Sequence, residues 1–240
     1  MNEAFVRMEL LYGPAAMERL AASRVAIFGL GGVGGYVLEA LLRSGIGALD
    51  LVDHDVINSS NLNRQILATR RSLGRDKVEV ARERAADINP ACAVRTYKCF
   101  YLPENETQFD FRDYDYVVDA IDTVSGKLAL IRQAQAVGTP IISAMGAGNK
   151  LDPSLLRVAD LYETENCPLA RIMRKECRKR GITRLKVVYS PETPRRPEGE
   201  TEETTAGKPT PGSTAFVPSV AGLLLAAEVV KDLSGVPGGD

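Results

Sequence analysis

The stretch that decides the fold is "AIFGLGGVGGY", Ala26–Tyr36. A short apolar run meets a cluster of glycines, and Gly29, Gly31 and Gly34 fit the spacing G-x-G-x-x-G. Upstream, "RVAIFG" (Arg24–Gly29) reads as a buried parallel strand closed by glycine. Downstream, "GYVLEALLRSGIG" carries Val37, Leu38, Leu41 and Leu42 at helical spacing and ends at Gly45, near the basic Arg43. "ALDLVD" (Ala48–Asp53) is the next strand. Together these predict a βαβ unit whose loop can seat the phosphates of a nucleotide on a helix N-terminus.

The alternation continues. "RDKVEVARERAADINP" predicts a helix stopped by Asn89-Pro90, and "ACAVRTYKC" a strand. "YDYVVDAID" (Tyr114–Asp122) predicts a strand with acids at its carboxyl end, "GKLALIRQAQAVG" a helix, and "PIISAMGAG" a strand running into small residues. This pattern predicts an α/β fold with a doubly wound, mostly parallel Rossmann-like sheet. Beyond Gly148 a short C-terminal extension begins: a strand, a loop, a basic helix, and a strand at "RLKVVYS". The stretch 191–212 is rich in Pro, Glu, Thr and Gly and has no hydrophobic period, so a disordered loop is expected there. "SVAGLLLAAEVVKDL" (Ser219–Leu233) predicts an apolar helix on the sheet, with Ser219 as its cap. Residues 1–240 are expected to form a single domain.

With 240 residues, 45% of them hydrophobic, the chain can bury one sizeable core. Thirty basic and 31 acidic residues give a net charge of −1, so a nucleic-acid partner must be held by a local patch rather than a global field. The opening "MNEAFVRMELLYG" lacks the basic-then-apolar layout of a signal peptide. No apolar run approaches the ~20 residues that span a bilayer. A cytoplasmic protein without membrane contact is expected. Cys92, Cys99, Cys167 and Cys177 are never spaced C-x-x-C, and His54 is the only histidine, so a structural zinc site is not expected.

The glycine loop alone does not separate NAD from ATP. Asp53 follows Gly34 by about 20 residues, where this fold places its ribose-binding acid, and both nucleotides carry a ribose. The stretch after it does separate them. "DHDVINSSNLNRQ" (Asp53–Gln65) is a long polar crossing that contains Asn61 and Arg64, and Lys77 opens the next helix. Cations beside a phosphate chain suit attack at phosphorus, whose transition state spreads charge over oxygens; hydride transfer has no such need. A magnesium ion bridging phosphates takes one or two carboxylates, and Asp119 or Asp122 can supply one. The constellation favours ATP and nucleotidyl transfer.

"GLGGVG", "VDHDVINSSNLNRQ", "GRDKVEVARERAADINP" and "VVDAIDTVSGK", in that order, resemble the superfamily of ubiquitin-activating-like adenylating enzymes. The likeness implies that Asp53 holds the ribose, that Asn61, Arg64 and Lys77 contact the phosphates, and that Asp122 organises Mg²⁺. It also implies a homodimer in which Arg7 reaches the partner's γ-phosphate. The candidate catalytic set is therefore Arg7, Arg64, Lys77 and Asp122. The candidate nucleotide-binding set is Gly29, Gly31, Gly32, Gly34, Asp53, Asp55, Asn61, Arg64 and Lys77.

"FVRMELLYGPAAMERLAASRVAIFGLGGVG", "CPLARIMRKECRKRGI", "VVYSPETP" and "PGSTAFVPSVAGLLLAAEVVKDL" extend the resemblance to the branch that dehydrates threonylcarbamoyladenosine beside the tRNA anticodon. That implies adenylation of the substrate carboxylate by ATP and ring closure with loss of AMP. Two other readings stand beside it. One is an adenylyltransferase for a sulfur-carrier protein of molybdopterin or thiamine synthesis, whose paired zinc cysteines are missing here. The other is a non-catalytic nucleotide-binding scaffold serving a cysteine desulfurase system, against which the set Arg64, Lys77 and Asp122 argues.

Three features stay open at this level. His54 is a general base or a polar loop residue. Cys167, before Pro168 at a helix start, is a stabilised thiolate or an inert thiol. Arg171, Arg174, Lys175 and Arg178 share one helix face, which is solvated or contacts tRNA phosphates, with Arg195 and Arg196 as the other basic place.

Overall fold

The computed structural model describes residues 3–199, 204–205 and 208–236. Two short helices, α1 (Val6–Tyr12) and α2 (Pro14–Ala22), lead into β1 (Arg24–Phe28), α3 (Gly34–Arg43) and β2 (Ala48–Val52). After the polar crossing come α4 (Lys77–Ile88), β3 (Ala93–Tyr97), β4 (Tyr116–Asp119), α5 (Val124–Val137) and β5 (Ile141–Ala144). The chain then forms β6 (Arg157–Asp160), α6 (Pro168–Lys179) and β7 (Lys186–Tyr189). It continues through a small ladder, β8 (Thr204–Thr205) and β9 (Lys208–Pro209), to α7 (Val217–Ser234).

The seven-stranded sheet has the order β3-β2-β1-β4-β5-β7-β6. All neighbours are parallel except β6, which runs antiparallel to β7 at the edge. The doubly wound order reverses between β1 and β4, so the crevice outside their carboxyl ends is the place for a ligand. Val25, Ala26, Ile27 and Phe28 of β1 are fully buried on both faces, as a central parallel strand requires.

Helix α3 opens with Gly34 and Gly35, each about 1 kcal/mol worse than alanine in a helix. Burial of Val37, Leu38, Leu41 and Leu42, at about 1.5–3 kcal/mol each, outweighs that cost. Packing therefore holds the helix, and its glycines are left free to serve the loop. Helix α7 lies against α3 and against β4, β5 and β7, burying Val217, Ala221, Leu225, Ala226, Val229 and Val230.

Several elements differ from the sequence reading. Strand β4 stops at Asp119, so Asp122 lies beyond it in the loop leading to α5, whose N-cap is Thr123. Ser219 is not a cap: α7 starts two residues earlier, its N-cap is Phe216, and the Ser219 hydroxyl donates back to the Ala215 and Phe216 carbonyls. Pro218, free of an N–H to satisfy, explains the earlier start. Helices α1 and α2 have no counterpart in the sequence reading.

The disordered segment expected at 191–212 falls partly outside the described residues, at 200–203 and 206–207. Of the remainder, Arg195 N donates to Asn149 O at 2.8 Å, Gly212 N donates to Asn149 Oδ1 at 2.7 Å, and Asn149 N donates to Gly212 O at 2.7 Å. Among the described residues, no helix is long and apolar enough to cross a membrane.

Candidate active site

The glycine loop is shaped by two close approaches. Gly29 has φ of +92°, and a side chain there would meet the Ala120 carbonyl oxygen at 2.7 Å. A side chain at Gly34 would collide with the Gly29 carbonyl. Both positions need glycine for steric reasons alone. The result is a tight turn in which the N–H groups of Gly31, Gly32, Val33 and Gly34 have no acceptor among the described residues. Val33, the N-cap of α3, offers no side-chain oxygen to them. Four unanswered amides at a helix N-terminus suit an anion.

Asp53 braces this loop from the end of β2. Its Oδ2 accepts the Leu30 amide at 2.6 Å and its Oδ1 accepts the Asp55 amide at 2.8 Å. A carboxylate has about four lone-pair sites, so acceptor capacity remains for a hydroxyl. Lys77, the first residue of α4, is buried; its ammonium donates to Asp55 Oδ2 at 2.6 Å and stands 3.8 Å from Asp53 Oδ2. The exposed His54 reaches Asp55 Oδ1 at 3.0 Å and packs edge-on against Phe100. Asp53, His54 and Asp55 could together offer three ligand atoms to a metal ion.

The polar crossing folds as a short helical turn, Ser59–Asn61, followed by further turns. Asn61 is buried, and its Oδ1 accepts the Asn58 amide at 3.1 Å. The Arg64 guanidinium donates to Ser60 O at 2.8 Å and Asn63 Oδ1 at 2.9 Å, while its stem lies 3.4 Å from where a Cβ on Gly32 would sit. Arg64 and Lys77 are thus brought to the glycine loop from opposite ends of one crossing. Pro218 of α7 closes the same place, 3.3 Å from the Gly32 Cβ position.

The two acids after β4 separate cleanly. Asp119 is fully buried and bonded to Lys127 Nζ at 3.1 Å through both oxygens, and the Ser143 hydroxyl donates to it. Burial pushes its carboxyl above the ordinary aspartate value, against the pull of Lys127 and Ser143. Lys127 also donates to Ala144 O at 2.7 Å. This cluster ties β4, α5 and β5 together and has no access to a ligand. Asp122 is exposed beside it, two residues past the Ala120 carbonyl that touches Gly29, and its carboxylate has no partner among the described residues. Arg7 is exposed on α1, and no described contact links it to the loop.

Sequence reasoning missed one residue of the site. Gln65, at the end of the quoted crossing, is buried with its Nε2 4.0 Å from the Gly31 Cβ position, and its Oε1 has no hydrogen-bond partner among the described residues. An orphaned buried acceptor costs about 1–3 kcal/mol unless a ligand or water donates to it. The amide cradle, the orphaned acceptor and the two cations fit a nucleoside triphosphate: phosphates for the amides and cations, hydroxyls for the acceptors.

The basic helix α6 differs from a free cationic stripe. Arg174 is drawn inward, donating to Thr164 O at 2.7 Å and to its hydroxyl, and Arg178 lies over the Tyr162 ring at 5.2 Å. Cys167 is the N-cap of this helix and is buried, with its thiol lining a cavity rather than the nucleotide crevice.

The chain matches the model of the ThiF family over residues 6–239. It is 42% identical to a tRNA threonylcarbamoyladenosine dehydratase of Bacillus subtilis over 242 residues, covering 97% of this chain and 95% of that protein. Among solved structures, it resembles Escherichia coli tRNA N6-threonylcarbamoyladenosine dehydratase in complex with ATP, with a TM-score of 0.88 and 33% identity. That match covers 97% of this chain and 94% of the other. The same enzyme in complex with AMP superposes equally well.

Proposed function

The chain belongs to the ThiF family, and from that premise we propose that it is an ATP-dependent tRNA threonylcarbamoyladenosine dehydratase. The observation that carries this reading is the end-to-end likeness to such an enzyme, 42% identity over 97% of the chain. In the reaction a carboxylate oxygen of the modified nucleoside attacks the α-phosphorus of ATP and pyrophosphate leaves. The carbamoyl nitrogen then attacks the activated acyl carbon, AMP leaves, and a ring is closed.

The protein's part is to position and to neutralise. The amides of Gly31, Gly32, Val33 and Gly34 receive phosphate oxygens. Asp53 takes the ribose, with Gln65 Oε1 as a further acceptor. Arg64 and Lys77 balance the charge that moves onto the pyrophosphate. Asn61 lines the same crossing and shapes it. Asp122 is the carboxylate that would hold Mg²⁺, which when bound supplies charge neutralisation at the phosphates.

A homodimer completes the reading. Leu10 and Leu11 of α1 are each 81% exposed, and a helix that shows two leucines to water is suited to a second copy. Arg7, on the same helix, would then enter the partner's site. The setting is the cytoplasm, where the tRNA substrate is found. The sulfur-carrier alternative is the less supported reading, and none of the four cysteines stands in a C-x-x-C pair.

The test is direct. The protein is incubated with ATP and tRNA bearing threonylcarbamoyladenosine, and the digested nucleosides are weighed by mass spectrometry. Loss of one water from the modified nucleoside, dependent on ATP, is expected. No change in mass at full ATP saturation overturns the reading.

A further inference from the structure

We propose that a cavity at the N-terminal mouth of α6 binds a backbone phosphodiester of the tRNA substrate. The proposal rests on the reading above, because it names where that substrate is held. The cavity has a volume of about 310 Å³ and is lined by Asn166, Cys167, Pro168, Arg171 and Arg174. That volume is at the small end for ligand sites and suits a phosphate with part of its sugar.

Several independent features give this cavity an anionic preference. Helix α6 has twelve residues and begins at Pro168, which has no N–H. The next two amides, of Leu169 and Ala170, have no acceptor among the described residues, although Ala170 is fully buried. The N-cap position, where an oxygen-bearing side chain normally answers those amides, holds Cys167 instead, and no cap bond is made. The Cys167 thiol is buried, faces the cavity and has no hydrogen-bond partner among the described residues. The helix end is therefore left to an acceptor from outside.

The cations around it are arranged to match. Lys179 and Arg180 are paired with Glu176, each at 2.7 Å, and Arg178 is spent on Tyr162. Arg171 is exposed, lines the cavity and has no anionic partner among the described residues. Arg174 forms the inner wall, fixed by Thr164. Behind Cys167 lies Lys150, a buried lysine whose ammonium donates only to Ser190 O at 2.7 Å and makes no ion pair among the described residues. Burial depresses its pKa, and the nearby Cys167 and Glu192 oppose that. An anion in the cavity would act in the same direction.

The cavity is also close to the carboxyl end of a central strand. Gly146 follows the carboxyl end of β5, and Cys167 Sγ lies 3.7 Å from its Cβ position. Strand β5 pairs with β4, the strand that leads to Asp122. The cavity therefore lies by the carboxyl end of β5, the strand next to the one that leads to Asp122. A tRNA whose modified base brings its carboxylate to the α-phosphorus of bound ATP would lay a neighbouring phosphate here.

The experiment compares Arg171→Glu with Lys175→Glu, an equal charge change one turn along on the same helix but outside the cavity. Affinity for modified tRNA is measured by filter binding at several salt concentrations, alongside KM, kcat, ATP affinity and thermal unfolding. For Arg171→Glu, affinity should fall about tenfold and the salt slope should drop by about one contact, with ATP affinity and kcat at saturating tRNA unchanged. Lys175→Glu should change tRNA affinity less than about threefold. Equal losses in both variants would mean a diffuse basic face and overturn the cavity. An effect on ATP rather than tRNA would assign the cavity to the nucleotide or its pyrophosphate and overturn it too. Wild-type protein that binds tRNA through Arg171 yet never dehydrates it would leave the cavity standing and sink the proposed reaction instead.

Discussion

The Lys77 ammonium is held 2.6 Å from the Asp55 carboxylate, at the opening of α4 and beside the glycine loop. Lys77 is buried while Asp55 is half exposed. The pair keeps a charged group poised in a site where an unpaired cation would be costly. A phosphate chain in the cradle would offer Lys77 a second, more highly charged acceptor.

Replacing Lys77 with methionine should therefore remove charge stabilisation while filling the same space. Turnover of modified tRNA should fall about 10²–10³-fold, the usual cost of losing one such group. Arg64→Ala should fall by a similar factor. Thermal unfolding monitors the fold in parallel, and a variant that unfolds normally yet turns over at wild-type rate would remove that residue from the mechanism.

ATP should bind far more tightly than NAD. The four free amides and the two cations address a phosphate chain, and attack at phosphorus needs those cations where hydride transfer does not. Calorimetric titration decides it: micromolar NAD binding with no response to ATP would contradict the assignment.

The Asp119–Lys127 pair should prove structural. Removing one partner leaves a buried charge unpaired, at a cost of about 3–5 kcal/mol in urea unfolding, so Asp119→Leu or Lys127→Leu alone should be severely destabilised. The double variant should recover much of that loss. If either single change instead abolishes catalysis without loss of stability, Asp119 belongs to the site and not to the frame.

Glu39 links α3 to α4 through Arg84 at 2.6 Å and to Arg43 on its own helix at 2.8 Å. Burial raises its pKa, but the two arginines outweigh burial and hold it below the ordinary glutamate value. A carboxyl lowered in the folded state adds stability above its unfolded pKa and loses it as pH falls through the lowered value. The advantage of wild type over Glu39→Gln should thus be full near neutrality and vanish in acid. Urea midpoints measured across that range check this, and a difference that persists at the lowest pH would rule out ionisation as its origin.

Mixed dimers test the shared site. Arg7→Ala and Asp122→Ala subunits, each inactive alone, should regain about a quarter of wild-type activity when mixed equally, because about half of the dimers are then mixed and each of those holds one intact site of two. Leu10→Arg with Leu11→Arg should shift sedimentation towards monomer. A verified heterodimer without activity would separate Arg7 from the partner's site.

Much of this was legible in the chain itself. The apolar run, the glycines and the acid after β2 specify a strand, turn and helix by local sterics and periodicity, and Gly29 and Gly34 occupy positions that only glycine can fill. The cations Arg64 and Lys77 were visible because "NLNRQ" and "GRDK" lie in an unusually polar crossing. Tertiary structure alone decided what depends on distant partners. Asp119 and Asp122 are chemically identical and three residues apart, yet one is sealed beneath Lys127 and Ser143 while the other faces solvent. Gln65 became an orphaned acceptor only when the crossing folded over it. The four cations of α6 looked equivalent by spacing, and packing then gave Arg174 to Thr164, Arg178 to Tyr162, and Arg171 to an open cavity. Local sequence sets backbone conformation through short-range sterics, but the burial and pairing of a charge depend on what the rest of the chain brings to it.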